Sequence, residues 1–203
     1  MSPAGIIKNI TNSNTVADKN LPALFMEIKE TYLKGCYTLQ PWVFTDDRGY
    51  FFESYNQKAF TELTGYSAEF VQDNQSLSSY GTVRGLHFQG GAHAQAKLVR
   101  VIEGSVFDVA VDLRKDSSTY GQWFGVELSG ENNLQLFIPR GFAHGFSVLS
   151  PTALFSYKCD NFYHKASEGG IRYDDPSLNI DWKIPHDKMI LSEKDLLLPY
   201  FNA

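Results

Sequence analysis

The shortness of the apolar runs is the strongest constraint on how this chain can fold. From Phe25 onward they are cut repeatedly by Gly, Pro, Asn and Asp, a spacing that favours many short strands over helices. Residues 97–114 show the pattern best. Val99 and Val101 precede a turn at Glu103-Gly104, and alternation resumes at Ser105. Phe107, Val109, Val111 and Leu113 then fall on one face by period two, and Asp108, Ala110 and Asp112 on the other. Carboxylates on such a strand predict that their face meets a polar cavity or the surface. Further strands are predicted over 123–129, 134–138, 145–149 and 153–159. One helix is predicted over 57–64 with Asn56 as its N-cap, and a short second one opens near Ser192. The sum is a sandwich or barrel of about ten or more strands with little helix.

A chain of 203 residues suits one domain with a full core. Residues 1–22, rich in Asn, Ser, Thr and Lys, read as a mobile leader, and residues 23–203 as that single domain. No run of 18 apolar residues occurs, so no membrane span is expected. The N-terminus lacks the charged-then-apolar order of a signal peptide. A cytoplasmic protein follows, in which the sequons at Asn9 and Asn74 are chance matches and Cys36 and Cys159 are free thiols. The 18 basic and 23 acidic side chains give a net charge of −5, which argues against broad nucleic-acid binding. A few local arginines can still hold a small anionic substrate.

Two of the five histidines have unusual settings. His87 ends Val83-Arg84-Gly85-Leu86-His87, and His144 lies in Pro139-Arg140-Gly141-Phe142-Ala143-His144. A lone histidine in an apolar strand is most simply a core side chain with one hydrogen-bond partner. The functional reading gains from Lys97, one hairpin after His87, and from Tyr157 in another apolar strand. Converging in one cavity, the three supply a base, a cation and an acid. Pro139-x-Gly141-x-x-His144 also looks like half of a metal-binding motif, but no His-x-His pair or nearby Glu accompanies His87, so no metal site is assigned. Arg48 and Arg84 border glycines and aromatics, which suits a clamp on phosphate beside a stacked base. Arg100, Arg114 and Arg172 read as surface residues.

Arg84-Gly85-Leu86-His87-Phe88-Gln89, Ala94-Gln95-Ala96-Lys97-Leu98-Val99, the run from Gly104 to Asp112, and Ile138-Pro139-Arg140-Gly141-Phe142-Ala143-His144-Gly145-Phe146 resemble the dTDP-4-dehydrorhamnose 3,5-epimerase family. Asp174-Asp175-Pro176 and Leu191-Ser192-Glu193-Lys194-Asp195 extend the resemblance over most of the chain. It implies an all-β, cupin-type jelly-roll barrel or sandwich and a homodimer that shares strands. The reaction implied is epimerisation of a dTDP-4-keto-6-deoxyhexose without any cofactor. By motif position His87 matches the base, Asp195 the carboxylate orienting it, Lys97 the cation beside the sugar carbonyl oxygen and Tyr157 the acid on the opposite face. His144 and Asp108 match a second pair in the pocket. Arg48, Glu53, Gln72, Asn74 and Arg84 match residues that hold the nucleotide diphosphate. Phe51 resembles an aromatic packing on the base, across the dimer. The family often has Tyr at Phe162, His at Gln75 and prolines at Gly90-Gly91-Ala92. Phe162 is expected to line the sugar site and to bear on whether one or both sugar centres are inverted. The alternatives in other classes are a metal-dependent cupin enzyme and a non-catalytic nucleotide-sugar binder.

Overall fold

The computed structural model describes residues 26–67 and 69–201. The leader expected over residues 1–22 and the Asn9 sequon lie outside the described residues. In chain order the elements are β1 (Met26–Glu30), β2 (Tyr37–Pro41), β3 (Phe44–Asp46), β4 (Gly49–Phe51), α1 (Gln57–Thr64), β5 (Gln72–Ser79), β6 (Val83–Gln89) and β7 (Lys97–Glu103). There follow β8 (Ser105–Asp112), β9 (Trp123–Ser129), β10 (Gln135–Ile138), β11 (Phe142–Val148), β12 (Thr152–Cys159), β13 (Glu168–Gly170) and α2 (Glu193–Leu196). Among the described residues no helix is long and apolar enough to cross a membrane.

β3 and β4 form a hairpin, and the other strands form two sheets ordered β1-β2-β10-β7-β12-β5 and β13-β6-β11-β8-β9. Strands distant in sequence become antiparallel neighbours, β5 with β12 and β6 with β11. The result is the expected all-β jelly-roll sandwich. Between the sheets lie Val99, Val101, Leu136, Ile138 and Phe155 from the first and Val106, Ala110, Phe146 and Val148 from the second.

Both sheets are also covered outside. Phe60 of α1 clusters with Leu39, Leu98 and Phe137. Ile171, Tyr173, Leu178 and Trp182 of the C-terminal segment cluster with Phe107, Val109 and Val111. Every residue of β8 from Val106 to Asp112 is therefore buried. Of the two outcomes expected for the carboxylate face, a polar cavity or the surface, it does not take the surface: it turns inward with Ala110, and Asp108 faces His144. Asp112 is held by Arg114, by the Ser117 hydroxyl at 2.6 Å and by the Thr119 hydroxyl at 2.7 Å. Arg114 is thus a structural clamp on a buried aspartate rather than a free surface cation.

α1 has the predicted bounds. The Asn56 side chain accepts from the Ala59 N–H at 3.1 Å, satisfying a donor that a helix start leaves open. The buried Asp175 of the Asp-Asp-Pro motif accepts from the N–H groups of Ser177, Leu178 and Phe201. That motif folds the C-terminal segment and does not reach the cleft.

The register of β6 against β11 has one irregularity that matters. His87 pairs with His144 and Arg84 with Phe146, so three steps on β6 oppose two on β11. Residues three apart on a regular strand face opposite sides; one extra residue, a bulge, brings them to the same side. Gly85 sits in this bulge at φ +119°, and a Cβ there would lie 2.6 Å from the Gly145 Cα and 2.7 Å from the His144 carbonyl oxygen. Gly85→Ala is expected to destabilise the fold by about 3 kcal/mol or more, measured by urea unfolding. A loss below about 1 kcal/mol would mean that the backbone relaxes around the added methyl.

Candidate active site

A cleft of about 890 Å³ opens between the sheets. The strands that line it carry core residues at alternate positions until a polar residue takes the same face. On β7, Val101 and Val99 give way to Lys97; on β12, Ala153 and Phe155 give way to Tyr157; on β11, Val148 and Phe146 give way to His144. Through the bulge, β6 offers both Arg84 and His87 to the same space. Sheet one thus supplies Lys97 and Tyr157, and sheet two the two histidines.

His87 Nε2 donates to Asp195 Oδ1 at 2.6 Å. Asp195 belongs to α2, whose N-cap Ser192 accepts from the Asp195 N–H at 3.1 Å. Burial works to raise the Asp195 carboxyl, but the hydrogen bond and charge of His87 and the Ser192 hydroxyl outweigh it, and its pKa is lowered. The pair is therefore a carboxylate and an imidazole oriented by it.

His144 Nε2 lies 2.9 Å from Asp108 Oδ2. Burial lowers the His144 pKa despite Asp108, so this second ring is held neutral. The other oxygen of Asp108 is buried without a partner among the described residues. Lys97 makes no ion pair among the described residues; its ammonium lies 6.0 Å from the Tyr157 ring centroid. Burial lowers the Lys97 pKa, against the pull of Cys159, Asp108 and Glu168. Burial raises the Tyr157 phenol, Cys159 adds to this and Arg84 opposes it, which keeps the proton on the tyrosine.

Gln72, Asn74 and Arg84 also line the cleft, and the Arg84 Nε–H donates to the Ser78 hydroxyl at 3.1 Å. Five expected residues do not line the cleft, one of them Asp108, which sits fully buried against His144. Arg48 and Phe51 lie on the β3–β4 hairpin, where Arg48 pairs with Asp46 and Phe51 is 70% exposed. Glu53 accepts from the Asn56 amide at 3.2 Å before α1. Phe162 is 64% exposed, and the next residue, Tyr163, faces the cleft instead. The chain bends after Cys159 and leaves the strand alternation, and Tyr163 rather than Phe162 takes the cleft side. Tyr163, Glu168 and Lys194 line the cleft too; Lys194 lies within the Leu191–Asp195 motif, but nothing in the sequence singled out any of the three.

Among the described residues no group of three or more His, Cys, Asp or Glu is arranged to hold a metal ion. Each cleft histidine gives a ring nitrogen to an aspartate. The arrangement suits proton transfer at a carbon next to a carbonyl: an oriented base on one wall, an acid on the other, and a buried cation beside the acid.

A family model described as dTDP-4-dehydrorhamnose 3,5-epimerase matches residues 30–203. The dTDP-4-dehydrorhamnose 3,5-epimerase of Shigella flexneri is 53% identical over 171 residues, covering 84% of this chain and 93% of that protein. The crystal structure of dTDP-4-dehydrorhamnose 3,5-epimerase from Elizabethkingia anophelis matches with a TM-score of 0.85 at 62% identity, over 87% of this chain and 97% of that one. The dTDP-6-deoxy-D-glucose-3,5-epimerase of Legionella pneumophila, solved with dTDP-4-keto-L-rhamnose, matches with a TM-score of 0.81 at 48% identity, over 88% of this chain and 100% of that one.

Proposed function

The chain belongs to the dTDP-4-dehydrorhamnose 3,5-epimerase family, and we propose that it inverts carbons 3 and 5 of dTDP-4-dehydro-6-deoxy-D-glucose to give dTDP-4-dehydro-L-rhamnose, acting in the cytoplasm. One observation carries the reading: the His87–Asp195 pair and Tyr157 belong to opposite walls of a single cleft, with Lys97 beside the tyrosine.

The ketone at carbon 4 acidifies the protons on carbons 3 and 5. With Nε2–H directed at Asp195, the free lone pair of His87 is on Nδ1, and this nitrogen takes the proton. The C–H electron pair moves into the ring and on to the carbonyl oxygen, giving an enolate. Asp195 stabilises the imidazolium that results. The Lys97 ammonium meets the enolate oxygen where charge develops, and burial makes that interaction stronger than it would be in water. Tyr157 then gives its proton to the carbon from the opposite face, and the centre is inverted. Solvent returns His87 and Tyr157 to their starting states before the second centre reacts. Arg84, Gln72 and Asn74 hold the diphosphate and nucleotide, and His144, kept neutral beside Asp108, completes the wall.

Arg48, Phe51 and Glu53 enter through a homodimer. The exposed β3–β4 hairpin of one protomer extends to the cleft of the other, and Phe51 packs on the thymine base there. The turnover test is incubation with dTDP-4-dehydro-6-deoxy-D-glucose, reduction of the ketone to trap the product, and proton NMR. Coupling constants of a 6-deoxy-L-hexose inverted at both centres are expected. Recovery of the starting configuration alone would rule the reading out.

A further inference from the structure

Glu168 has no part in that chemistry, yet it lines the same cleft. It opens β13, which pairs with β6 so that Glu168 lies opposite Gln89 and Gly170 opposite His87. One carboxylate oxygen accepts from Lys194 Nζ at 2.5 Å, and the other accepts from the Tyr163 hydroxyl at 3.0 Å. The Tyr163 N–H in turn donates to Gln72 on β5 at 3.0 Å. Lys194 directly precedes Asp195 on α2, a helix of only four residues. So short a helix has almost no stability of its own. Its position depends on the Ser192 cap, the His87–Asp195 bond and the Glu168–Lys194 bond.

We propose that Glu168 is a positioning residue for the His87 base: it clamps α2 through Lys194, and its own charge faces the imidazole. This rests on the epimerase reading above. The charged and titratable groups that share the cleft with His87 are Asp195 and Lys194 from α2, Glu168 from β13, His144 from β11, Lys97 from β7, Tyr157 from β12, Arg84 from β6 and Tyr163. Of these, Asp195, His144 and Glu168 interact with its charge. The Lys194 ammonium is more than half exposed, so the ion pair adds little to stability. Its effect belongs to the geometry and potential at the base.

The test compares wild type, Glu168→Gln, Lys194→Met and Glu168→Asp in epimerisation of dTDP-4-dehydro-6-deoxy-D-glucose as a function of pH. Both Glu168→Gln and Lys194→Met lower kcat about tenfold, with KM changed less than about threefold and Tm unchanged. Glu168→Asp restores part of the rate. Removing the negative charge makes the imidazolium harder to form, so Glu168→Gln moves the acid limb of kcat/KM to lower pH. Removing the positive charge does the reverse in Lys194→Met. Each shift is a few tenths of a pH unit. Unchanged kcat, a limb that does not move, or shifts in the same direction contradict the proposal while wild type turns over. A wild type without turnover overturns the epimerase reading itself, and this inference with it.

Discussion

His87→Ala is expected to reduce turnover by about 10³-fold or more while dTDP still binds within about threefold of its wild-type affinity. Both cleft histidines have a buried aspartate behind the ring, but burial lowers the His144 pKa and weakens that ring as a base, whereas the His87 side chain is 31% exposed to the cleft. Gln72, Asn74 and Arg84, proposed to hold the nucleotide, keep their places without it, because they come from β5 and the far end of the β6 bulge. Isothermal titration with dTDP and a turnover assay separate the two effects. A variant that keeps more than about a tenth of the rate removes His87 from the base role. Equal loss of binding and turnover would make it a structural residue.

Lys97→Met is expected to have opposite effects on activity and stability. Without the ammonium the enolate oxygen loses its counter-charge, and kcat falls by about 10²–10³-fold. The same change takes out of the fold a largely buried cation that has no ion pair among the described residues. Met fills the similar volume, and Tm at neutral pH rises by about 2–4 °C, the equivalent of about 1 kcal/mol for a chain of this size. Lys97 titrates below the ordinary lysine range when folded. Between its folded and unfolded values the unfolded chain binds more protons, so wild-type stability gains from this group as pH rises through that window. The Tm advantage of Lys97→Met is therefore largest below the folded value and shrinks as pH rises through that window. Thermal melts of the two proteins at neutral and alkaline pH check this. A variant that melts lower than wild type at neutral pH would show that Lys97 is compensated in the cleft.

The sequence was most informative where the local signal and the tertiary demand agree. Asn56 marks the start of the helix predicted over 57–64, and α1 follows with those bounds. The turn at Gly104 separates two alternating runs, and β7 and β8 form on either side. His87, Lys97, His144 and Tyr157 each interrupt an apolar face, and all four meet in the cleft. What was not legible depends on contacts distant in sequence. The bulge at Gly85 exists because β6 passes close to Gly145 of β11, and no period in β6 alone announces it. β8 alternates polar and apolar residues as a half-exposed strand does, but the C-terminal segment covers the apolar face of Phe107, Val109 and Val111, and the face of Asp108 and Asp112 turns inward between the sheets with Val106 and Ala110. Phe162 and Tyr163 are adjacent aromatics in a turn, where neither period two nor period 3.6 says which one faces inward. The clamp of Glu168 on Lys194 joins positions 26 residues apart and needed the docking of α2 to be seen.

The central claim is that His87 removes the protons on both carbon 3 and carbon 5 of one substrate bound in this cleft. Proton NMR of dTDP-4-dehydro-6-deoxy-D-glucose with the wild-type enzyme in heavy water tests it most directly. The carbon-3 and carbon-5 signals are both expected to disappear as deuterium enters from solvent, and neither does so with His87→Ala. Exchange at a single carbon would contradict double inversion, and exchange at neither would contradict the epimerase mechanism as a whole.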